Sequence, residues 1–164
     1  MQATIQQINI SKGGVPKNAV LYGTVGHLGI EGDVQAHTQI HGGPLQALLL
    51  IDAGAIEEIN VLGYSVIAGS LGENITTLGM DRRRVRVGQQ YRIGEIIIEI
   101  TKPRGPCQQL DGYGAGIQKA IYDPQVKARD YKSPRWGLSG FYASVVQGGM
   151  IRPGDPITLL SEMA

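Results

Sequence analysis

Twenty-four glycines in a chain of 164 residues constrain its fold more than any other feature. A glycine inside a helix costs roughly 1 kcal/mol relative to alanine, whereas a tight turn accepts it without steric penalty. Eight prolines add to the punctuation. The chain therefore favours short strands and tight loops over long helices.

Between the glycines lie short apolar segments. Thr4 to Ile10 reads as a strand, and Ser11 to Lys17 as a loop around Gly13, Gly14 and Pro16. Ala19 to Val25 reads as a second strand. Residues 26–43 are glycine-rich and carry all three histidines, His27, His37 and His41. Leu45 to Ile51 is continuously apolar and short, the pattern of a buried strand. Asp52 has the character of a helix N-cap, followed at helical spacing by Ala53, Ile56, Ile59 and Leu62, with Gly63 as the stop.

Val85 to Val87, Tyr91 to Ile93 and Glu95 to Thr101 read as strands, with Gly88 and Gly94 at turns. Glu99 gives the last of these one wetter face, and Pro103 and Pro106 end it. Gly114 to Ile121 and Pro124 to Asp130 are candidate short helices. Phe141 to Val146 and Ile157 to Leu160 are the closing strands, with a turn at Gly148 and Gly149. Residues 112–138 have few apolar positions and several charges, which suits either a lid or disorder. Read together, the segments predict a mainly β fold with some helix (α+β). A closed or nearly closed β-barrel with flanking helices buries many short strands without leaving edges. Residues 1–164 are expected to form one domain.

The net charge of +1 and an aromatic content of 5% argue against a nucleic-acid partner. No apolar run approaches the ~20 residues that span a bilayer, and the N-terminus lacks the pattern of a signal peptide. One cysteine excludes an internal disulfide. A reducing cytoplasm is the expected location, with no membrane partner.

That cysteine, Cys107, lies in TKPRGPC, residues 101–107. A lone cysteine is often a small buried hydrophobe. Here Pro103 and Pro106 stiffen the backbone around it, and Arg104 brings a permanent positive charge that would favour the thiolate. A second candidate cluster is Gly32-Asp33 with His41-Gly42-Gly43-Pro44. Successive glycine amides can form an anion nest, and His41 could donate to the anion or carry a proton; a tight turn with a solvated histidine is the alternative. His37 and His41 are four apart, but glycine and proline oppose a helix there, so a zinc site is not expected. Glu73-Asn74-Ile75-Thr76-Thr77 is a run of polar groups suited to a heteroatom-rich ligand, or to a local turn. Arg82 to Arg84 with Arg86 form a basic run, either a solvated face or a phosphate anchor.

Taken in order, SKGGVPK, GIEGD with HGGP, GENITTLG, TKPRGPC and GFYASVVQGGMIRPGD resemble the MOSC domain, named for the C-terminal domain of molybdenum-cofactor sulfurases. The likeness runs from about Ser11 to Leu160. Its most specific element is a hallmark cysteine that follows Arg-x-Pro at a strand end, which Cys107 matches. Gln89 and Gln46 depart from the family pattern, where Asp and Arg are common.

The resemblance implies a β-barrel core and a site for the molybdenum cofactor, a molybdopterin that can be absent from the purified protein. It implies Cys107 as metal ligand or sulfur acceptor, Arg104 as thiolate stabiliser or phosphate anchor, and His41, Gly42 and Gly43 as anion or oxo-group contacts. Asn74 and Thr76 become candidate pterin contacts, and Lys12 and Arg82 candidate phosphate anchors, while Asp33 fits a loop-fixing role.

Three functions stay open. One is the terminal component of a reductase for N-hydroxylated compounds, fed by an external electron donor. Another is a persulfide sulfur carrier served by a sulfur-donor protein, without redox turnover. The third is a non-catalytic ligand-binding or structural module. A homodimer is compatible with each.

Overall fold

A computed structural model describes residues 2–34 and 42–161. Seven strands close into a barrel. In ring order they are β1 (Ala3–Ile10), β6 (Ile75–Leu78), β5 (Leu48–Asp52), β9 (Phe141–Gln147), β8 (Ile96–Pro103), β7 (Gln90–Ile93) and β11 (Pro156–Ser161). Pairing of β1 with β11, Ala3 opposite Ile157, closes the ring. β5 and β6 run parallel, the one parallel pairing among the described strands. Closure leaves these strands few open edges.

β2 (Asn18–Val20) is added to the outside of β1. β3 (Gly23–Gly26), β4 (Gly29–Ile30) and β10 (Gly149–Ile151) form a separate small sheet. The helices are α1 (Ala53–Val61), α2 (Ile117–Ile121) and α3 (Pro124–Lys127), with short 3-10 turns at Pro44–Gln46, Arg82–Arg84 and Gln108–Tyr113.

Alternation explains the barrel wall. Along β8, Ile96, Ile98 and Ile100 point inward and are fully buried, while Ile97, Glu99 and Thr101 are half-buried. Glu99 accepts a hydrogen bond from Gln90 Nε2 at 3.0 Å on that wetter face. Trp136 fills the barrel core edge-on to Phe141, and its indole N–H donates to the Val85 carbonyl at 2.8 Å. A second cluster lies outside the barrel, where Ile56 and Ile59 of α1 meet Leu110, Ile117 and Ile121. Asp52 caps α1 through the Gly54 amide.

Several expected elements differ in detail. Ala19 to Val25 is two strands, β2 and β3, separated by the exposed Leu21 and Tyr22. Val85 to Val87 is not a strand: Asp81 accepts from the Arg83 amide and winds Arg82–Arg84 into a 3-10 turn that runs into the Gly88 turn. The polar run after Glu73 holds β6, a barrel strand. Residues 112–138 are neither loosely packed nor poor in anchors. Ile117, Ile121, Val126, Trp136 and Leu138 are buried, and the Tyr113 hydroxyl donates to the Ser70 carbonyl at 2.6 Å.

Candidate functional site

Cys107 stands where β8 leaves the barrel. The β8–β9 ladder ends with Lys102 opposite Tyr142 and Pro103 opposite Phe141, after a register shift between Ile100 and Lys102. Such a bulge re-aims the side chains that follow it. The Arg104 amide donates to the Gly140 carbonyl at 2.9 Å and extends the ladder by one step. Cys107 then opens the 3-10 turn Gln108–Tyr113, with its carbonyl accepting from the Leu110 amide. Cys107 is half-buried rather than fully enclosed in the core.

Cys107 and Arg104 line one cleft with Lys17, Gly42, Asn74 and Tyr142. The cleft opens to solvent, and its empty space, the open mouth included, is about 500 Å³. Arg104 is buried, and its guanidinium donates to the Leu71 carbonyl at 2.6 Å and to the Ser139 carbonyl at 3.3 Å. Its Nε has no partner among the described residues. A buried donor without a partner is uncommon in a folded protein and is met by a water, an ion or a ligand. Tyr142 lies beside Arg104 and Cys107. Burial pushes its phenol above its ordinary pKa, an effect only partly offset by the Arg104 charge, so the hydroxyl stays protonated.

The opposite wall is an ionic network. Lys17 Nζ and Asp33 Oδ2 form a buried ion pair at 2.5 Å. Asp33 Oδ2 also accepts from Asn74 Nδ2 at 2.9 Å, and Oδ1 accepts from the Ser11 amide at 3.0 Å. Asp33 therefore ties the Ser11 loop to the sheet. Asn74 Oδ1 accepts from the Leu49 amide at 3.0 Å, so its amide braces β5 against that loop.

The remaining candidates are spread more widely. Gly42 lines the cleft, and Gly43, at φ +83°, precedes the Pro44–Gln46 turn. His37 and His41 lie outside the described residues. Thr76 is in the barrel wall, donating to Glu73 Oε2 at 2.9 Å and accepting from Asn9 Nδ2 at 3.1 Å. Lys12 is exposed and is not part of the cleft lining. Arg82 is far from a free phosphate anchor: it holds Glu58 in two hydrogen bonds of 2.8 and 2.9 Å and donates to the Trp136 carbonyl. The Glu58 hydrogen bond and charge from Arg82 hold its carboxyl below the usual range.

Lys17 and Tyr142 are cleft residues that the sequence reading passed over. Lys17 shares a loop with Lys12, and nothing local separates two lysines five apart; the carboxylate of Asp33 does. Tyr142 is masked by its position in an apolar strand. Among the described residues, no cluster of three His, Cys, Asp or Glu side chains could hold a metal ion by itself. No helix among them is long and apolar enough to cross a membrane.

A family model for the MOSC domain matches residues 37–158. The uncharacterized protein YflK of Bacillus subtilis is 32% identical over 134 residues, 80% of this chain and 55% of that protein. A protein of Gibberella moniliformis named a reductase is 29% identical over 96 residues, 56% of this chain and 15% of its own length. The chain thus spans little more than half of YflK and a small part of the reductase. The crystal structure of YiiM from Geobacillus stearothermophilus superposes with a TM-score of 0.69 at 26% identity, covering 97% of this chain and 75% of that one.

Proposed function

The chain belongs to the MOSC-domain family, and we propose that its cleft binds the molybdenum cofactor with Cys107 as a ligand, as the terminal component of a reductase for N-hydroxylated compounds. One observation carries this reading. A half-buried thiol and a buried arginine with an unpartnered Nε line the same cleft. That donor set fits the group. Sulfur suits a metal already bound by sulfur, and a guanidinium suits an anionic or oxo-bearing ligand.

The cofactor would supply two-electron chemistry when bound. The chain's own residues bind and orient. Cys107 would fix the metal just past the strand exit, where Pro106 and the Leu110 amide bonded to the Cys107 carbonyl limit its movement. Arg104 would donate from Nε to an acceptor on the bound group. The Lys17–Asp33–Asn74 network would hold the facing wall, with no charge left uncompensated. Tyr142, kept protonated, offers a donor for the hydroxyl oxygen that leaves as water. The net reaction, R–NH–OH with two electrons and two protons giving R–NH2 and water, requires electrons from an external donor protein. The match to a protein named a reductase supports this class of chemistry.

Cofactor-loaded protein with a chemical reductant is expected to convert an N-hydroxylated purine or an amidoxime to the amino product. Cys107→Ser is expected to lose at least 100-fold in rate, on the scale of removing a metal's essential partner. Absence of turnover on both substrate types, with molybdenum present, contradicts the reductase reading. A mass gain of one sulfur atom at Cys107 after treatment with a cysteine desulfurase would then favour sulfur carriage.

A further inference from the structure

Among the described residues, the buried side-chain atoms without a hydrogen-bond partner are Arg104 Nε and Glu73 Oε1. One is a donor and the other an acceptor, and they share a corner of the fold. Arg104 Nη2 donates to the Leu71 carbonyl at 2.6 Å, and a Cβ built on Gly72 would lie 3.8 Å from the same nitrogen. The guanidinium is therefore packed on the segment that carries Glu73. Gly72, at φ +89°, and Asn74 line the cleft, whereas Glu73 between them does not. Arg104 thus serves the cleft while resting on a segment whose next side chain is a buried carboxyl group.

The Arg104 charge acts on Glu73, yet the two form no ion pair. Glu73 Oε2 instead takes neutral donors, the Gly69 amide at 3.0 Å and the Thr76 hydroxyl at 2.9 Å. From β1, Asn9 Nδ2 donates to the Glu73 carbonyl at 3.1 Å. From the 3-10 turn after Cys107, the Tyr113 phenol feels the Glu73 charge while donating to the Ser70 carbonyl. Lys17 gives its ammonium to Asp33. A fully buried carboxylate with no bonded cation and one oxygen without a donor is costly, and a neutral acid in the same place costs far less. The geometry therefore suits a neutral Glu73 and an Arg104 whose counter-charge comes from the cleft.

We propose that Glu73 is a positioning residue for an anion in the cleft: neutral, it leaves the whole charge of Arg104 to an anion held at Nε, and ionised, it withdraws part of that charge. An anion and an ionised Glu73 compete for one guanidinium, so each opposes the other. Anion affinity is then fullest where Glu73 is neutral, and it falls as pH rises through the ionisation of Glu73. By the same linkage, an anion entering the cleft draws a proton onto Glu73. The inference rests on the reading of the cleft as an anion site and not on the reductase chemistry.

The test uses the full chain produced without cofactor, with sulfate as the probe. Cys107 is the only thiol in the chain and lines the cleft, so sulfate held there is read as protection of that thiol from iodoacetamide, at each pH against the sulfate-free rate. The wild type is expected to need at least about fivefold more sulfate for half-protection at about pH 9 than at about pH 6, a range that covers the raised values of buried carboxyl groups. In Glu73→Gln, which keeps the shape and the neutrality, that ratio is expected to be at most about half as large; other titrations in the cleft are common to both proteins and cancel. A ratio unchanged by the substitution overturns the role of Glu73 and leaves the cleft reading standing. Absence of protection in the wild type at the lower pH also overturns it, because no anion then draws on Arg104. Should Glu73→Gln fail to fold, calorimetric titration of the wild type with sulfate in two buffers of different ionisation heat decides: net proton uptake above neutral pH supports the proposal, and none overturns it. Molybdenum and pterin content tests the cofactor reading separately.

Discussion

Lys17 and Glu73 show what a single buried charge does here. Lys17 and Asp33 compensate each other with side chains 8% and 4% exposed. Removing the lysine alone strands a buried carboxylate, which typically costs about 3 to 5 kcal/mol. Lys17→Met should therefore lower unfolding free energy in urea by about that amount, whereas Lys12→Met at the exposed loop position should change it by less than about 0.5 kcal/mol. Glu73 is fully buried, with Oε2 accepting from the Gly69 amide at 3.0 Å and from Thr76, and Oε1 without a partner among the described residues. Burial pushes its pKa up despite these bonds and the nearby Arg104 charge. The folded state thus favours the protonated form, and this group's contribution falls as pH rises from the ordinary carboxylate range through the raised folded value. Glu73→Gln should flatten that part of the stability–pH curve in denaturation series at several pH values. An unchanged slope would show that Glu73 folds as an ordinary ionised carboxylate.

At the scale of elements, the 3-10 turn Arg82–Arg84 is a clamp. Arg82 joins Glu58 of α1 to the Trp136 carbonyl and so links the helix, the turn and the core tryptophan. Arg82→Met should cost about 2 kcal/mol, since a buried carbonyl loses a charged donor. It should leave ligand binding in the Cys107 cleft unchanged, because Arg82 does not line that cleft. Glu58 is half-exposed, so its share is at most about 1 kcal/mol. That share is present above the ordinary carboxylate pKa and is lost as pH falls through the lowered folded value.

The elements also explain what the sequence could reveal. β8 was legible because one face is packed and the other is wet, and the α1 start was legible because Asp52 caps it. β6 was hidden because both Thr76 and Thr77 are buried: Thr76 bonds to Glu73 on one side and Thr77 to Asp52 on the other. With polar groups satisfied on both faces, no alternation marks the strand. Residues 112–138 misled for a related reason. Their few apolar side chains are widely spaced anchors, and polar bonds such as that of Asp123 to the Val126 amide complete the packing.

For the whole molecule, the barrel is a rigid frame that presents one strand exit. Closure fixes β8 between β7 and β9, the bulge turns the chain, and Arg104 and Cys107 emerge side by side at the cleft. The family was legible from motif order. The cleft's far wall was not, because Lys17, Asp33 and Asn74 are joined only by the fold.

The measurement that bears most directly on this account is molybdenum and pterin content of the protein purified from a cofactor-producing host, wild type against Cys107→Ser. The account predicts molybdenum and pterin together in the wild type and molybdenum lost from the variant. Neither present in the wild type, or molybdenum retained in full without the thiol, would contradict it.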